Sequence, residues 1–507
     1  MSTSGTAIMM GLKHFLLGYG PDEPLGNKPF LLGLRSSRWF IIATVILGIY
    51  VDIFLYASTV VTIPFLVEDQ LGVGEDEVLQ LTGWSMFAYS IASFSVSPLA
   101  GLLADTSKSR RAPLLSGLAF LLAGIICLWK ASRTSVLLFG RVLQGASAGF
   151  VWTIGLALII DTVGQDEIGG VLAYADIALC MGLASGPPVS GAVLKAYGKD
   201  AIYVLTLGLT LVDVLMRLFL VEAGTALRWK PEPAPEAVAP EAVAPDLSNK
   251  VTVLSEEGPE DRTSTIGAYI KVVFRSWRIL GALMGTWVVS HILITMDVAV
   301  PIYLEETFES DCSKVGLMLL VFYCPSLLCI WSGQLADRYG GKWLAIAGLL
   351  GCIPSFLGLA VVEKFETLAV PSLMWILMLC AGVSLAVANT PIMAEIIYSL
   401  VNKQTKYQWL RQYSGGYGMA YGAFMTIFSL GSLTASLATP AILRKHGWAA
   451  LMYSLIACCI FGTIPMALWA GPKQPMGRCG MRKQRPIVTE GTREGGDVEA
   501  DAAENPV

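Results

Sequence analysis

Two stretches decide the fold: Gly101–Arg111, GLLADTSKSRR, and Gly333–Trp343, GQLADRYGGKW. Each sits between two long apolar runs. Gly, Leu, Ala and Asp recur in register, as Gly101, Leu103, Ala104 and Asp105 in the first copy and Gly333, Leu335, Ala336 and Asp337 in the second. Two matching polar loops in two matching apolar surroundings imply an internally repeated membrane protein.

The composition agrees. The 507 residues are 54% hydrophobic and only 15% charged, and mean hydropathy is +0.61. A soluble domain carries about a quarter of its residues as charges. The net charge of -4 supplies no basic field for nucleic acid. Most of the ten Cys are scattered through apolar runs, with neither metal-ligand spacing nor a secreted disulfide pattern, so they are read as packing residues. The N-terminus is polar for too long to be a signal peptide.

Twelve apolar runs are each long enough to cross a bilayer. They are placed at 39–66, 78–101, 112–130, 135–161, 167–194 and 201–221, then at 279–304, 314–335, 343–363, 370–400, 412–441 and 447–470. The expected fold is an all-α membrane protein of twelve transmembrane helices in two pseudo-symmetric six-helix halves. Its parts are a cytosolic N-terminal segment 1–38, bundles 39–221 and 279–470, a cytosolic linker 222–278, and a disordered cytosolic tail 471–507. Lys108, Arg110, Arg111, Lys271, Arg275, Arg278, Lys403, Lys406 and Arg482 collect on one side. The first opposite loop, Val67–Gln80, is acidic, and this asymmetry predicts both termini in the cytosol. The linker contains PEPAPEAVAPEAVAPD (Pro231–Asp246), too proline-dense for helix or sheet. Lys271, Arg275 and Arg278 then share a helical face beside Ile270, Phe274 and Trp277. That pattern fits either an amphipathic helix on an anionic leaflet or a plain extension of span seven.

The loop pair resembles the motif between spans two and three of the major facilitator superfamily, G-x-L-A-D-R-x-G-R-R. The second copy keeps Arg338 and Gly340; the first has Thr106 and Lys108 there but keeps Arg110 and Arg111. Leu137–Gly149, LLFGRVLQGASAG, resembles the superfamily's R-x-x-Q-G, through Arg141, Gln144 and Gly145. An arginine inside a span is costly unless paired or hydrated, so Arg141 is either a coupling residue, as the family implies, or a carbonyl-bonded packing residue. Gly182–Gly191, GLASGPPVSG, resembles the antiporter motif of span five, with Gly182, Gly186, Pro187 and Gly191 in place and Ser190 where a glycine is usual. Its spacing predicts close helix contact at a kink; only the resemblance implies an antiporter. Span eleven, Gly431–Pro440, lacks the Gly-Pro pair.

The two halves also align as Thr62–Glu68 over Ala299–Glu305, and as Thr153–Asp161 over Thr390–Tyr398. Rocking of two halves about a midplane site is the mechanism such a repeat supports. Intramembrane acids are functional by default. Asp52 lies twelve residues before Pro64, and Asp297 four before Pro301. Both spacings, with VDIFLYASTVVTIP (Val51–Pro64), resemble fungal relatives of the vesicular monoamine transporters. There the resemblance implies substrate or proton binding at Asp52 and Asp297, joined by Glu395, Tyr56 and Tyr398 as candidates. Tyr89 stands where those transporters carry a lysine, and Tyr398 and Met425 stand where they carry acids. Glu395 is a candidate either for that site or for a latch on Arg338 or Lys342. Asp213 and Arg217, four apart in span six, are expected to neutralise each other. Asp176 is assigned neither to pore nor to packing, and His291 is expected to be a packed residue.

The resemblance further implies coupling or gating roles for Gly101, Asp105, Arg110, Arg111, Asp161, Gly333, Asp337 and Arg338, which would clamp the cytosolic face shut. The implied activity is export of a small organic compound (drug, toxin or amine-like) in exchange for protons, across the plasma membrane or a vacuolar or vesicular membrane. The expected partners are lipid, substrate and protons, and the expected oligomeric state is a monomer. No cofactor, metal or nucleic acid is expected, and the proton gradient is the energy source. No nucleotide-binding loop and no nucleophile–base constellation is present, so neither an ATP-driven pump nor an enzyme is expected. A nutrient symporter or uniporter and a non-transporting ligand sensor are the alternatives.

Overall fold

The computed structural model describes residues 28–71, 75–107, 109–163, 167–226, 229, 267, 271, 275–308, 312–362, 370–404 and 416–469. The acids of the first outer loop, Lys108, the Pro-Ala-Glu linker, most of the basic stretch before span seven, Lys406 and the C-terminal tail lie outside the described residues or side chains.

Among the described residues every long element is an α-helix, as expected when backbone polar groups must be satisfied without water. The first half comprises α1 (Arg38–Leu71), α2 (Glu75–Thr106), α3 (Arg111–Trp129), α4 (Thr134–Val163), α5 (Ile168–Tyr197) and α6 (Lys199–Phe219). In the second half α7 is Trp277–Phe308. Helix α8 runs Cys312–Tyr323, tightens into a 3-10 turn over Cys324–Leu328 and resumes over Cys329–Tyr339. The turn contains Pro325, which has no N–H to continue the α-helical ladder. Helices α9 (Gly341–Val362) and α10 (Val370–Gln404) follow.

The last helical stretch, Tyr417–Trp469, is 53 residues long. At 1.5 Å per residue it would reach roughly 80 Å, far more than a bilayer needs. It is broken at Gly447, where φ is 79° and ψ is -179°. These segments are α11 (417–446) and α12 (448–469), so the eleven apolar helical stretches make twelve spans. Gly198 has the same angles, φ 79° and ψ -179°, between α5 and α6. Only glycine adopts this region without strain. One bend therefore closes the fifth-to-sixth connection of each half, a backbone signature of the repeat.

Most helices extend a few residues beyond the apolar runs at one or both ends, because polar termini such as Glu75–Glu77 continue the helix past the hydrocarbon. Outward faces are apolar, with Leu99, Leu211, Val212, Leu215, Trp331, Ile376 and Leu468 exposed. Such a surface is matched to lipid tails. The halves meet along two seams, α2 against α11 and α5 against α8.

Candidate transport site and latches

Each repeated loop carries a carboxylate that caps a helix of the opposite half. Asp105, at the end of α2, accepts hydrogen bonds from the amides of Gly418 and Met419, both at 2.8 Å, at the start of α11. Asp337, at the end of α8, accepts from the amides of Gly169 (2.8 Å) and Gly170 (2.9 Å) at the start of α5. A helix N-terminus offers unpaired N–H groups and a positive dipole end, so an anion there is doubly favoured. The glycines explain the close approach. A Cβ on Gly101 would lie 2.6 Å from the Gly418 carbonyl oxygen, and one on Gly333 would lie 2.2 Å from that of Gly169.

The reinforcements differ between the halves. Arg110 pairs with Asp161 (2.5 Å) and approaches Asp105 (3.6 Å). Arg111 does not join this cluster; its guanidinium donates to the Leu218 carbonyl at the end of α6. Glu222, which the sequence reading passed over, accepts from Ser109 (2.7 Å) and from the amides of Arg110 (2.8 Å) and Arg111 (3.0 Å), capping α3. In the second half Tyr398, aligned with Asp161, donates directly to Asp337 (2.5 Å). Tyr398 is thus part of a latch rather than of the central cavity. Arg338 is exposed. Glu395 is fully buried and pairs with Arg278 at 2.5 Å. It meets neither Asp52 nor Arg338, and Lys342 donates instead to the Ala467 carbonyl (2.7 Å).

Between the halves lies a narrow cavity of about 30 Å³, room for roughly two waters. Its walls combine the aromatic residues Tyr56, Tyr89, Trp152 and Phe428, the serines Ser90, Ser93, Ser429 and Ser432, and apolar side chains including Leu293 and Met425. Ser93 and Ser429 bond across the seam at 2.8 Å, and Ser90 and Ser432 at 3.2 Å. Trp152 stacks on Phe428 of the other half, with ring centroids 6.4 Å apart.

Asp52 and Asp297 stand behind this wall, not in it. Asp52 is 2% exposed and accepts from the indole N–H of Trp152 at 3.2 Å. Asp297 accepts from the Tyr323 hydroxyl at 2.5 Å, and its other oxygen has no hydrogen-bond partner. Tyr323 is the last residue before the 3-10 turn of α8, so Pro325 helps set its position. Tyr56 does line the cavity and packs on Tyr89, with centroids 4.8 Å apart.

Arg141 is wholly buried, and among the described residues no carboxylate bonds to it. It donates to Gln144 (2.7 Å), the Ser85 carbonyl (3.3 Å) and the Met86 sulfur (3.3 Å). Its guanidinium lies over the rings of Tyr89 (4.9 Å) and Tyr56 (5.5 Å). Cation–π contact and neutral acceptors thus hold the charge, and Tyr89, in the place of the relatives' lysine, is one of its supports. Gly145 lets α4 approach α2, since a Cβ there would be 2.1 Å from the Tyr89 carbonyl oxygen.

The glycine motif of α5 packs against α1 within the first half. A Cβ on Gly182 would meet Ile53 at 2.8 Å, and one on Gly186 would meet Ala57 at 2.7 Å. At Gly191 nothing lies within 4 Å among the described residues. The helix continues through Pro187 and Pro188. Asp213 and Arg217 form the expected pair at 3.0 Å, both buried, with Arg217 against Gly48 of α1. His291 is buried, stacks on Trp287 and bonds Thr434 at 3.2 Å.

The model of the Major Facilitator Superfamily matches residues 45–416. The chain belongs to this superfamily. Among the superfamily's proteins, an uncharacterised MFS-type transporter of Schizosaccharomyces pombe is 25% identical over 415 residues, 80% of this chain and 89% of the relative. The vesicular acetylcholine transporter of Drosophila melanogaster is 23% identical over 401 residues, 76% of this chain and 59% of that protein. The crystal structure of the human organic anion transporter MFSD10 superposes with a TM-score of 0.60 at 15% identity, covering 85% of this chain and all of that one. This last likeness is one of fold. Family and fold make the protein a multi-pass membrane transporter rather than an enzyme.

Proposed function

We propose that this major facilitator protein exports a small, partly apolar organic compound from the cytosol in exchange for protons. The observation that carries the reading is the pair of shielded acids around one aromatic cavity. Asp52 is bonded to Trp152, whose ring forms part of the cavity wall and stacks across to the opposite half. A proton gained or lost at Asp52 therefore acts on the surface that a substrate touches. The wall itself offers rings and hydroxyls and no charged side chain, which suits an apolar molecule with a few polar groups or a cation seated on aromatic faces. Asp52 and Asp297 carry protons in this reading, and the wall residues carry the substrate. The face of the repeated loops is cytosolic, and its two latches close it while the opposite face admits protons. The proposed domain limits are 1–38, 39–221, 222–278, 279–470 and 471–507. The protein works as a monomer, without cofactor or metal, in the plasma membrane or a vacuolar or vesicular membrane.

The resemblance of the α5 glycine motif to that of antiporters favours antiport over nutrient symport, and the close seam of this motif with α1 lies beside Asp52, at Ile53 and Ala57. The direction of proton flow tests the choice. Proteoliposomes with a trapped pH-sensitive dye, screened over amines, organic anions and toxins, should show proton movement opposite to substrate movement. Proton and substrate moving together would make the protein a symporter.

A further inference from the structure

We propose that Asp176 is a positioning residue for transport, a carboxylate lock that ties α5 of the first half to α8 and α10 of the second and must release for the loop face to open. The proposal rests on the alternating access of the superfamily and not on proton exchange, so it stands or falls separately from the reading above.

Asp176 is 1% exposed. One carboxylate oxygen accepts from the Asn389 amide at 2.6 Å. The other accepts from the Thr390 hydroxyl at 2.8 Å and the Cys329 thiol at 2.9 Å. All three donors belong to the opposite half, and they come from two different helices. Among the described residues no Lys or Arg bonds to it; the titratable neighbours are the thiols of Cys329 and Cys180. On the same seam Ala173, Cys329 and Ala386 form a small buried apolar cluster, with Ile177 and Ile330 packed against it. A carboxylate this deeply buried depends on its donors, because it is shielded from bulk solvent.

The position gives the lock its role. Asp176 is seven residues further along α5 than Gly169, which Asp337 caps, so it sits roughly 10 Å deeper on the same α5–α8 seam. The loop-face latch and this lock form one ladder between the same helices. Rocking the halves apart at the loop face pulls α8 and α10 away from α5 and strips all three bonds together. Among the described residues the matching seam of α2 and α11 is joined at depth by the neutral serine pairs.

The test uses the full chain in nanodiscs and needs no substrate. The probe is N-ethylmaleimide, with labelling of each cysteine read by peptide mass spectrometry against the denatured protein. In Asp176→Asn, Cys329 should label at least about tenfold faster than in the wild type, while Cys352, buried within the second half, keeps its protection. Equal labelling of Cys329 in both proteins would overturn the proposal. A second variant decides the case even if Asp176→Asn loosens the whole fold. Asp176→Cys places a thiol beside Cys329, and copper-phenanthroline oxidation should cross-link α5 to α8. Hydrogen exchange at the Gly169 and Gly170 amides should then slow at least about tenfold and recover on reduction with dithiothreitol. Failure of the cross-link to form, or exchange unchanged by it, would show that this seam does not open as a lock.

Discussion

The two latches share one geometry and differ in chemistry. In each, a loop aspartate caps a helix of the other half through two amides, and glycines bring the backbones together. The α2–α11 latch adds a charged cluster, with Arg110 between Asp105 and Asp161. The α8–α5 latch adds a neutral hydroxyl, Tyr398, bonded straight to Asp337. The repeated scaffold therefore conserves the capped helix end between its halves, and what surrounds the carboxylate is free to vary. A charged cluster responds to salt and to the loss of one member, whereas a hydroxyl responds to neither beyond its own bond.

Four expected outcomes sharpen that contrast, each read by hydrogen exchange at the capped amides. Asp105→Ala should have the largest effect, because it frees two amides and leaves Arg110 without one of its two carboxylates. Removing one member of a buried ion cluster costs about 3–5 kcal/mol, and the Gly418 and Met419 amides should lose protection accordingly. Asp337→Ala should cost less, about 1–3 kcal/mol for donors left unsatisfied, seen at Gly169 and Gly170. Loss of protection at α5 equal to that at α11 would erase the distinction between the latches. Tyr398→Phe removes one of the three hydrogen bonds that Asp337 accepts, so it should cost less than Asp337→Ala, and the loss should not change between low and high salt. The smallest effect should be that of salt on the wild type. Raising it to about 1 M shortens the screening length to about 3 Å, which should lower protection at α11 slightly and leave α5 as it was.

Most of the scaffold was legible in the sequence because it is written in local signals. Apolar runs place the spans, the doubled loop places the halves, and Asp105 and Asp337 announce themselves by register. The partners were not legible, because each comes from a helix far away in the chain. Glu222 lies just past a span end, where nothing in its neighbourhood marks it as a cap for α3. Glu395 is a candidate for the site or for a latch on Arg338 or Lys342 by sequence, whereas its partner is Arg278, more than a hundred residues away. Trp152 is one residue before the aligned Thr153, and Asn389 one before Thr390. Reading that alignment one position further back would have flagged the two residues that bond Asp52 and Asp176. Tyr398 shows the reverse case, since its place over Asp161 pointed to the latch while the family resemblance pointed to the site.

The central claim is that Asp52 carries the coupling proton while the aromatic wall carries the substrate. It is tested most directly by comparing wild type and Asp52→Asn in proteoliposomes, with a transported compound from the screen, under a pH gradient and then in substrate exchange without one. The account predicts that Asp52→Asn loses gradient-driven uptake but retains exchange of labelled for unlabelled substrate, because exchange moves no net proton. Gradient-driven uptake by Asp52→Asn close to that of the wild type would contradict it.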